Sequence, residues 1–549
     1  MNPNSHYDSY RYETAAHMTG GTRWASDDEI QEYLSEVNLF EKRYRACGLP
    51  LICDGHTAYV NNSDSHGLIL GSTGSKKSRL FVMPMLEMIA RAGESAIVTD
   101  PKGELYDRTS GLFSREGYAI KVLNFRDPEH SNGWNPLYTA YLLNKAGRKD
   151  KALEMFADLS NFLYYDKPGS KMDPFWNQKS RAIFQGLCQL LLEDSKICQS
   201  QISLSTVAEL AENVCDEALT NSSLLSVLDI LNRRHGESLA KKTLRQAIVG
   251  SEKTLENIIT SALAPLQVFF TNHALLNMLS TPEVDFREIG MKKSILYIIM
   301  PDEKTTLHAL VGMAIKNCYE MQIDVAQHQR NKMLPVRVNY LLDEFSNIPT
   351  IPDMSSMITA ARSRNIRFYL IVQSMQQLFS KYGEEAYTLR GNCNDWVFLT
   401  SRELDLLKEL EVLCGCDAKS GQPLITVSQL QRLNKETGEA LVLCGRMYPY
   451  LSHLPDIERY PFADVSPIPL PNLPKGYSRP FKYERYSDLW KADIQASEKV
   501  RDTSELDDDF FKLEEEPIVM DNDDARTEPF DLYAELDKKF QQLYGKSGS

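Results

Sequence analysis

The sequence predicts an α/β fold, a mostly parallel sheet with helices on its faces and an inserted all-α domain. Three observations predict it. Apolar runs of strand length alternate with helix-period segments in two stretches of the chain, and a long helical block separates them. The octapeptide Gly71-Ser-Thr-Gly-Ser-Lys-Lys-Ser78 follows the apolar run Gly67-Leu-Ile-Leu70, at a strand-to-helix junction of the kind that carries phosphate loops. A second apolar strand, Val338-Asn-Tyr-Leu-Leu342, ends in the acidic pair Asp343-Glu344.

Each element follows in chain order. Residues 1–65 are polar and aromatic, with one helix expected over Asp27–Tyr44. Strand Leu68–Leu70, a helix over Lys77–Ala92, strand Ala96–Thr99, a helix after Glu104 and strand Ala119–Leu123 make a first nucleotide-binding part, 66–145. The strand signal then disappears. Leu153, Phe156, Leu159, Phe162 and Leu163 fall at helical spacing, as do Leu224, Leu225, Leu228 and Leu231, giving an all-α domain over 146–275. Alternation resumes with Ser294–Met300, a helix over Thr305–Ala326, Arg337–Leu342, Arg367–Val372 and Trp396–Thr400, the second nucleotide-binding part, 276–480. Seven prolines between Pro449 and Pro474 point to extended wrapping or a linker. Residues 481–549 form an acidic tail expected to be disordered, in which Phe530–Leu536 has the pattern of a short partner-bound helix.

Composition narrows the class. With 549 residues, 42% hydrophobic and 25% charged, the chain is long enough for two or more globular domains. No run approaches the eighteen or so apolar residues that span a bilayer, and the start lacks the pattern of a signal peptide, so a cytoplasmic protein is expected. Ten cysteines without paired spacing read as reduced thiols. The net charge of -14 argues against a general nucleic-acid binder, but residues 501–549 hold fifteen acids against six bases. That tail accounts for -9, which leaves only -5 elsewhere and room for a basic surface. Arg233, Arg234, Lys241, Lys242 and Arg245 in the helical block are candidates for a DNA-facing cluster, or for an ordinary solvated helix face.

A phosphate loop needs glycines for its turns, a lysine for the phosphate charge, a hydroxyl for Mg²⁺ and a helix N-terminus behind the anion. Gly71, Gly74, Lys77 and Ser78 meet those needs, whereas Lys76 stands where the pattern has its second glycine. There a side chain would interfere with close backbone approach. The candidate nucleotide-binding set is Gly71, Ser72, Thr73, Gly74, Ser75, Lys76, Lys77 and Ser78, with ATP as ligand and Mg²⁺ at Ser78 and Asp343. Glu344 is the candidate to polarise an attacking water, and Gln373, at the end of the strand Ile366–Val372, to sense the γ-phosphate or orient that water. Arg362, preceding that strand, is the candidate arginine finger. Asp100-Pro-Lys-Gly-Glu104 is expected near the same edge.

Taken together the motifs resemble the type IV coupling proteins of conjugation and type IV secretion, the TraG/TraD type. The resemblance rests on Thr22-Arg-Trp-Ala25, the 71–78 loop, Thr99-Asp-Pro-Lys-Gly-Glu-Leu105, Asn132-Gly-Trp-Asn-Pro-Leu137, Asp173-Pro-Phe-Trp176, Leu342-Asp-Glu-Phe345, Ala361-Arg-Ser-Arg-Asn-Ile366, Val372-Gln-Ser374 and Asn392-Cys393. It implies a RecA-like motor core, hexameric rings, a DNA-stimulated ATPase, and single- or double-stranded DNA as a partner. It also implies relaxase or relaxosome proteins, the ATPase of the secretion channel and a membrane partner. The all-α domain would take part in DNA or relaxosome recognition, and the tail resembles partner-docking tails. Members commonly carry N-terminal transmembrane helices. None is visible here, so a soluble member, peripheral at the inner face of the bacterial cell membrane, is expected.

Three functions follow. The first is an ATP-dependent coupling protein that links a relaxase–DNA complex to a secretion channel. The second is a substrate-receptor platform in which Lys76 leaves little or no hydrolysis. The third is an FtsK/HerA-type DNA translocase.

Overall fold

The computed structural model describes residues 21–165, 173–193, 199–211, 238–247, 252–267, 272–301, 303, 307–417 and 420–473. The helix expected around Leu224–Leu231, Arg233, Arg234 and the acidic tail lie outside these residues. The chain divides into two compact units, one built from described residues up to Asn132 and from Val284 to Leu473, the other from residues between Gly133 and Glu283.

The first unit is organised by its sheets. Strands β1 (Ser35–Asn38), β2 (Pro50–Cys53) and β3 (Thr57–Val60) form a small antiparallel sheet in the order β1-β3-β2. The remaining strands are β4 (His66–Leu70), β5 (Ser95–Asp100), β6 (Ala119–Asn124), β7 (Ser294–Ile299), β8 (Val338–Leu342), β9 (Ile366–Val372), β10 (Cys393–Phe398), β11 (Glu439–Cys444) and β12 (Tyr450–His453). They make one nine-stranded sheet in the order β12-β11-β10-β4-β9-β8-β5-β7-β6. Strands β4 to β10 run parallel, and β11 and β12 add an antiparallel edge. Residues of β4, β5, β7, β8 and β9 are buried throughout, which is why they read as unbroken apolar runs instead of alternating ones.

The helix expected over Asp27–Tyr44 stops at Tyr33. Ser26 and Glu29 form a capping box that starts it, but beyond Leu34 Val37 and Leu39 turn inward while Glu36 and Asn38 face solvent, a period of two that suits pairing with β3. The prolines near the end of the unit serve wrapping. Ile468 and Pro469 carbonyls accept from the Tyr106 hydroxyl, and a Cβ on Gly111 would sit 2.1 Å from the Ser466 carbonyl oxygen. Only glycine lets that strap lie directly on helix Glu104–Arg115.

Two buried polar groups of the large sheet, Arg367 and His66, tie it to segments packed on it. Arg367 on β9 donates to Asn339 at 2.8 Å, to Glu94 at 2.6 Å and to the Cys47 carbonyl at 2.9 Å. His66 Nδ1 accepts from the Phe368 amide at 3.0 Å, so its proton sits on Nε2 and is donated to the Ile358 carbonyl at 2.8 Å.

The second unit is helical in its described residues, among them Tyr138–Lys145, Lys149–Leu163, Pro174–Glu193, Leu239–Ala247, Glu252–Leu263 and His273–Met278. Phe156, Leu159, Phe184, Leu187, Leu190 and Leu244 are buried. A Cβ on Gly186 would lie 2.6 Å from Leu244 Cγ, so the two helices meet there at close range. Glu193 accepts from the amides of Leu239 and Ala240 at 3.1 and 3.2 Å, placing a carboxylate at the positive end of that helix. Ala240, Leu244 and Ala247 face inward, whereas Lys242 and Arg245 are exposed and Lys241 is half-buried. Among the described residues eight cysteines are free, and seven of them are buried.

Candidate nucleotide site

The sheet order assembles the site. Strands β4, β9, β8 and β5 are consecutive and parallel, so their carboxyl ends bring Gly71, Gln373, Asp343 and Asp100 to one edge. In open α/β sheets ligands bind at such an edge.

The loop leaves β4 with the Gly71 amide donating to the Val372 carbonyl and the Ser72 amide to Thr400, and then turns through Gly74 at φ 76°. A Cβ on Gly74 would meet nothing within 4 Å, so the loop is open on that side. Lys76 also adopts a positive φ, 65°. That left-handed conformation costs a non-glycine residue about 1–2 kcal/mol, so this lysine takes the backbone shape for which the motif uses glycine. Its side chain does not fill the loop, because Nζ donates to Glu436 at 2.5 Å. The ammonium in turn holds the Glu436 carboxyl below its ordinary value. From Lys76 the chain passes into a helical turn over Ser78–Val82 and the helix Met83–Ala92.

Lys77 is 6% exposed, and its Nζ donates to the carbonyls of Gly71 at 2.7 Å and Ser72 at 3.4 Å. No described carboxylate lies within ion-pair distance of it, and burial lowers its pKa. A buried ammonium held only by carbonyls has positive charge to offer an anion. The buried Ser75 hydroxyl of the loop has no hydrogen-bond partner among the described residues.

The acidic strand end completes the arrangement. Ser78 Oγ donates to Asp343 Oδ2 at 2.9 Å, so the hydroxyl and carboxylate proposed for Mg²⁺ are neighbours. Burial is the main cause that pushes Asp343 up to about 6, with the adjacent Glu344 charge adding to it. Hard oxygen ligands of this kind suit Mg²⁺, which takes the rest of its shell from phosphates and water. No group of three or more His, Cys, Asp or Glu gathers as a metal cage among the described residues. Glu344 is itself left-handed at φ 52°, which turns its side chain out of the strand line. Gln373 Nε2 donates to Glu344 Oε2 at 2.5 Å, and its Oε1 accepts from Thr73 Oγ1 at 2.7 Å. Asp100, pushed up to about 6 chiefly by burial, accepts from the amides of Gly103 and Tyr106 and fixes the start of the next helix.

Arg362 stands apart from this cluster. It lies in a turn at the opposite end of β9 from Gln373, where it pairs with Asp64 at 3.1 Å, and Arg364 donates to the adjacent Ser363. Lys241, Lys242 and Arg245 belong to the helical unit.

Sequence reasoning missed three contributors. Thr99 Oγ1 donates to the Asp343 carbonyl at 2.8 Å, and Asn347 Nδ2 reaches Glu344 at 3.3 Å. Thr99 carries a signal in hindsight, being a hydroxyl near the end of a buried strand. Glu436 carries none, because only the return of β11 along β10 brings it to the loop.

Fold and site together define a RecA-like P-loop NTPase core accompanied by an all-α domain. The chain belongs to the type IV secretory system conjugative DNA transfer family, whose profile matches residues 23–416. Two conjugal transfer proteins TraG of Escherichia coli are similar to it. One is 23% identical over 79% of this chain and 69% of its own length, the other 23% identical over 66% and 57%. Among solved structures, the plasmid coupling protein TrwB with a non-hydrolysable ATP analogue superposes with a TM-score of 0.58 at 15% identity, covering 83% of this chain and 97% of that one. TrwB with ADP and Mg²⁺ superposes with a TM-score of 0.57, also at 15% identity, covering 82% and 97%. No described helix is long and apolar enough to cross a membrane.

Proposed function

We propose that the chain is an ATP-driven coupling protein that hydrolyses ATP and moves or presents DNA during conjugative transfer. The observation that carries this reading is the contact between Ser78 and Asp343 beside the buried, carbonyl-bound Lys77. It joins the loop and the acidic strand end, setting a buried ammonium beside a hydroxyl and a carboxylate. Lys77 would bind the β- and γ-phosphates by exchanging its carbonyl partners for phosphate oxygens. Ser78 and Asp343 would hold Mg²⁺, which supplies charge neutralisation on the phosphate oxygens. Glu344 would accept the proton of the attacking water, and Gln373 would fix that carboxylate and orient the water. Arg362, exposed in part and paired only at the surface, would release Asp64 to reach the nucleotide of a neighbouring copy in a hexamer.

DNA, relaxosome proteins, the secretion-channel ATPase and a membrane partner are the proposed partners, with the helical unit and its Lys241, Lys242 and Arg245 as a DNA face. A place at the inner face of the bacterial cell membrane follows from those partners. The receptor reading without hydrolysis drew on Lys76. A lysine that takes the glycine conformation and points its ammonium at Glu436 weakens that motive.

The test is DNA-stimulated ATP hydrolysis by the purified chain beside Lys76→Gly and Lys77→Ala. Turnover in the wild type that Lys77→Ala abolishes supports the motor. Equal inactivity of those two, with turnover in Lys76→Gly, returns the receptor.

A further inference from the structure

The loop's departure from the phosphate-loop pattern is matched by contacts from outside it. Lys76 Nζ donates to Glu436 at 2.5 Å, and the neighbouring Lys435 Nζ reaches the Gly74 carbonyl at 3.4 Å. Two consecutive residues of one turn therefore grip the two left-handed residues of the loop. The turn is itself held in place. The Asn434 amide donates to Glu439 Oε2 at 2.8 Å, the Glu439 amide to the Asn434 carbonyl at 3.0 Å, and the Glu436 amide to Asn434 Oδ1 at 2.9 Å. Gly438, at φ 69°, passes so near Leu454 that a Cβ would fall 1.8 Å from its carbonyl oxygen. The Leu454 amide donates to the Gly438 carbonyl at 2.9 Å, so the turn is fastened beside β12, and it enters β11 at the end where β4 delivers the loop.

We propose that the turn at 434–438 clamps the phosphate loop, with Glu436 as a positioning residue that holds Lys76 in the left-handed conformation. The inference rests on reading Gly71–Ser78 as a nucleotide site. Lysine resists this conformation because its Cβ crowds the following carbonyl. Tethering the end of its side chain to a fixed anion selects the backbone states that place Nζ there. Glycine needs no tether. Glu436 therefore matters only while residue 76 is lysine.

The test is a double-mutant cycle of wild type, Glu436→Gln, Lys76→Gly and the pair, read in the nucleotide-free full chain. Hydrogen exchange is followed in peptides covering Ser75–Phe81. Glu436→Gln is expected to speed exchange about two- to fivefold, the modest size of an exposed ion pair. The double variant is expected to match Lys76→Gly, and molar salt to speed the wild type while leaving Lys76→Gly unchanged. Wild-type exchange in Glu436→Gln, or the same increment in the Lys76→Gly background, overturns the clamp. A parallel titration with a fluorescent ADP and Mg²⁺ is expected to weaken by a similar factor in Glu436→Gln, again only with Lys76 present. Absence of nucleotide binding in all four proteins removes the nucleotide reading, while the exchange cycle still decides the clamp.

Discussion

Gln373 bonds to Glu344, its amide nitrogen donating to the carboxylate at 2.5 Å while its oxygen accepts from Thr73. One amide therefore connects the 71–78 loop to the carboxylate proposed to activate water. Glu344→Gln is expected to lower kcat for ATP hydrolysis about a hundredfold or more, the usual worth of a general base. Nucleotide affinity should stay within about threefold, since the loop is untouched. Gln373→Ala is expected to lower kcat about tenfold through loss of orientation alone. Single-turnover hydrolysis with a separate binding titration distinguishes the two effects, and an equal loss of affinity would place Glu344 in binding instead.

Lys77 carries a second prediction, on stability. It is a buried cation whose partners are carbonyls, and burial already lowers its pKa. Removing such a charge is often neutral or favourable. Lys77→Met is expected to abolish nucleotide binding yet leave the nucleotide-free Tm unchanged or about 2 °C higher. A clear loss of Tm would make the ammonium part of the fold.

His66 makes acid stability predictable. Burial depresses its pKa to about 4 from the ordinary 6.5, and its Nδ1 must stay unprotonated to accept from Phe368. The folded chain therefore binds fewer protons than the unfolded chain between these values. The contribution is complete above pH 6.5 and is lost as pH falls to about 4, amounting to about 3 kcal/mol. Denaturant unfolding of wild type and His66→Gln across pH 4–7 should show a steeper fall in the wild type. Parallel profiles would remove His66 as the cause.

The basic helix face is tested by salt. If Lys242 and Arg245 meet phosphates, Lys242→Glu and Arg245→Glu should weaken duplex and single-strand binding alike. Each should also reduce the slope of log K against log salt by about 1. An unchanged slope would leave them as a solvated helix surface.

Much of this was legible in the sequence for a physical reason. Strands buried on both faces must be unbroken apolar runs, so β4, β5, β7, β8 and β9 declared themselves, and with them the residues at their ends. Gly71–Ser78, Asp343, Glu344 and Gln373 could be picked out because each segment begins directly after such a run. The short strands β1 to β3 escaped because four residues carry too little periodicity.

Local pattern thus determined the elements and the residue types at the sheet's carboxyl edge. Tertiary structure alone decided which strands became neighbours, and so that Gln373 falls between the loop and Glu344. It also decided the meaning of Lys76. In sequence that residue is a defect in a motif. In the fold it is a left-handed lysine fastened to Glu436, a contact spanning 360 positions that exists because β11 returns antiparallel to β10.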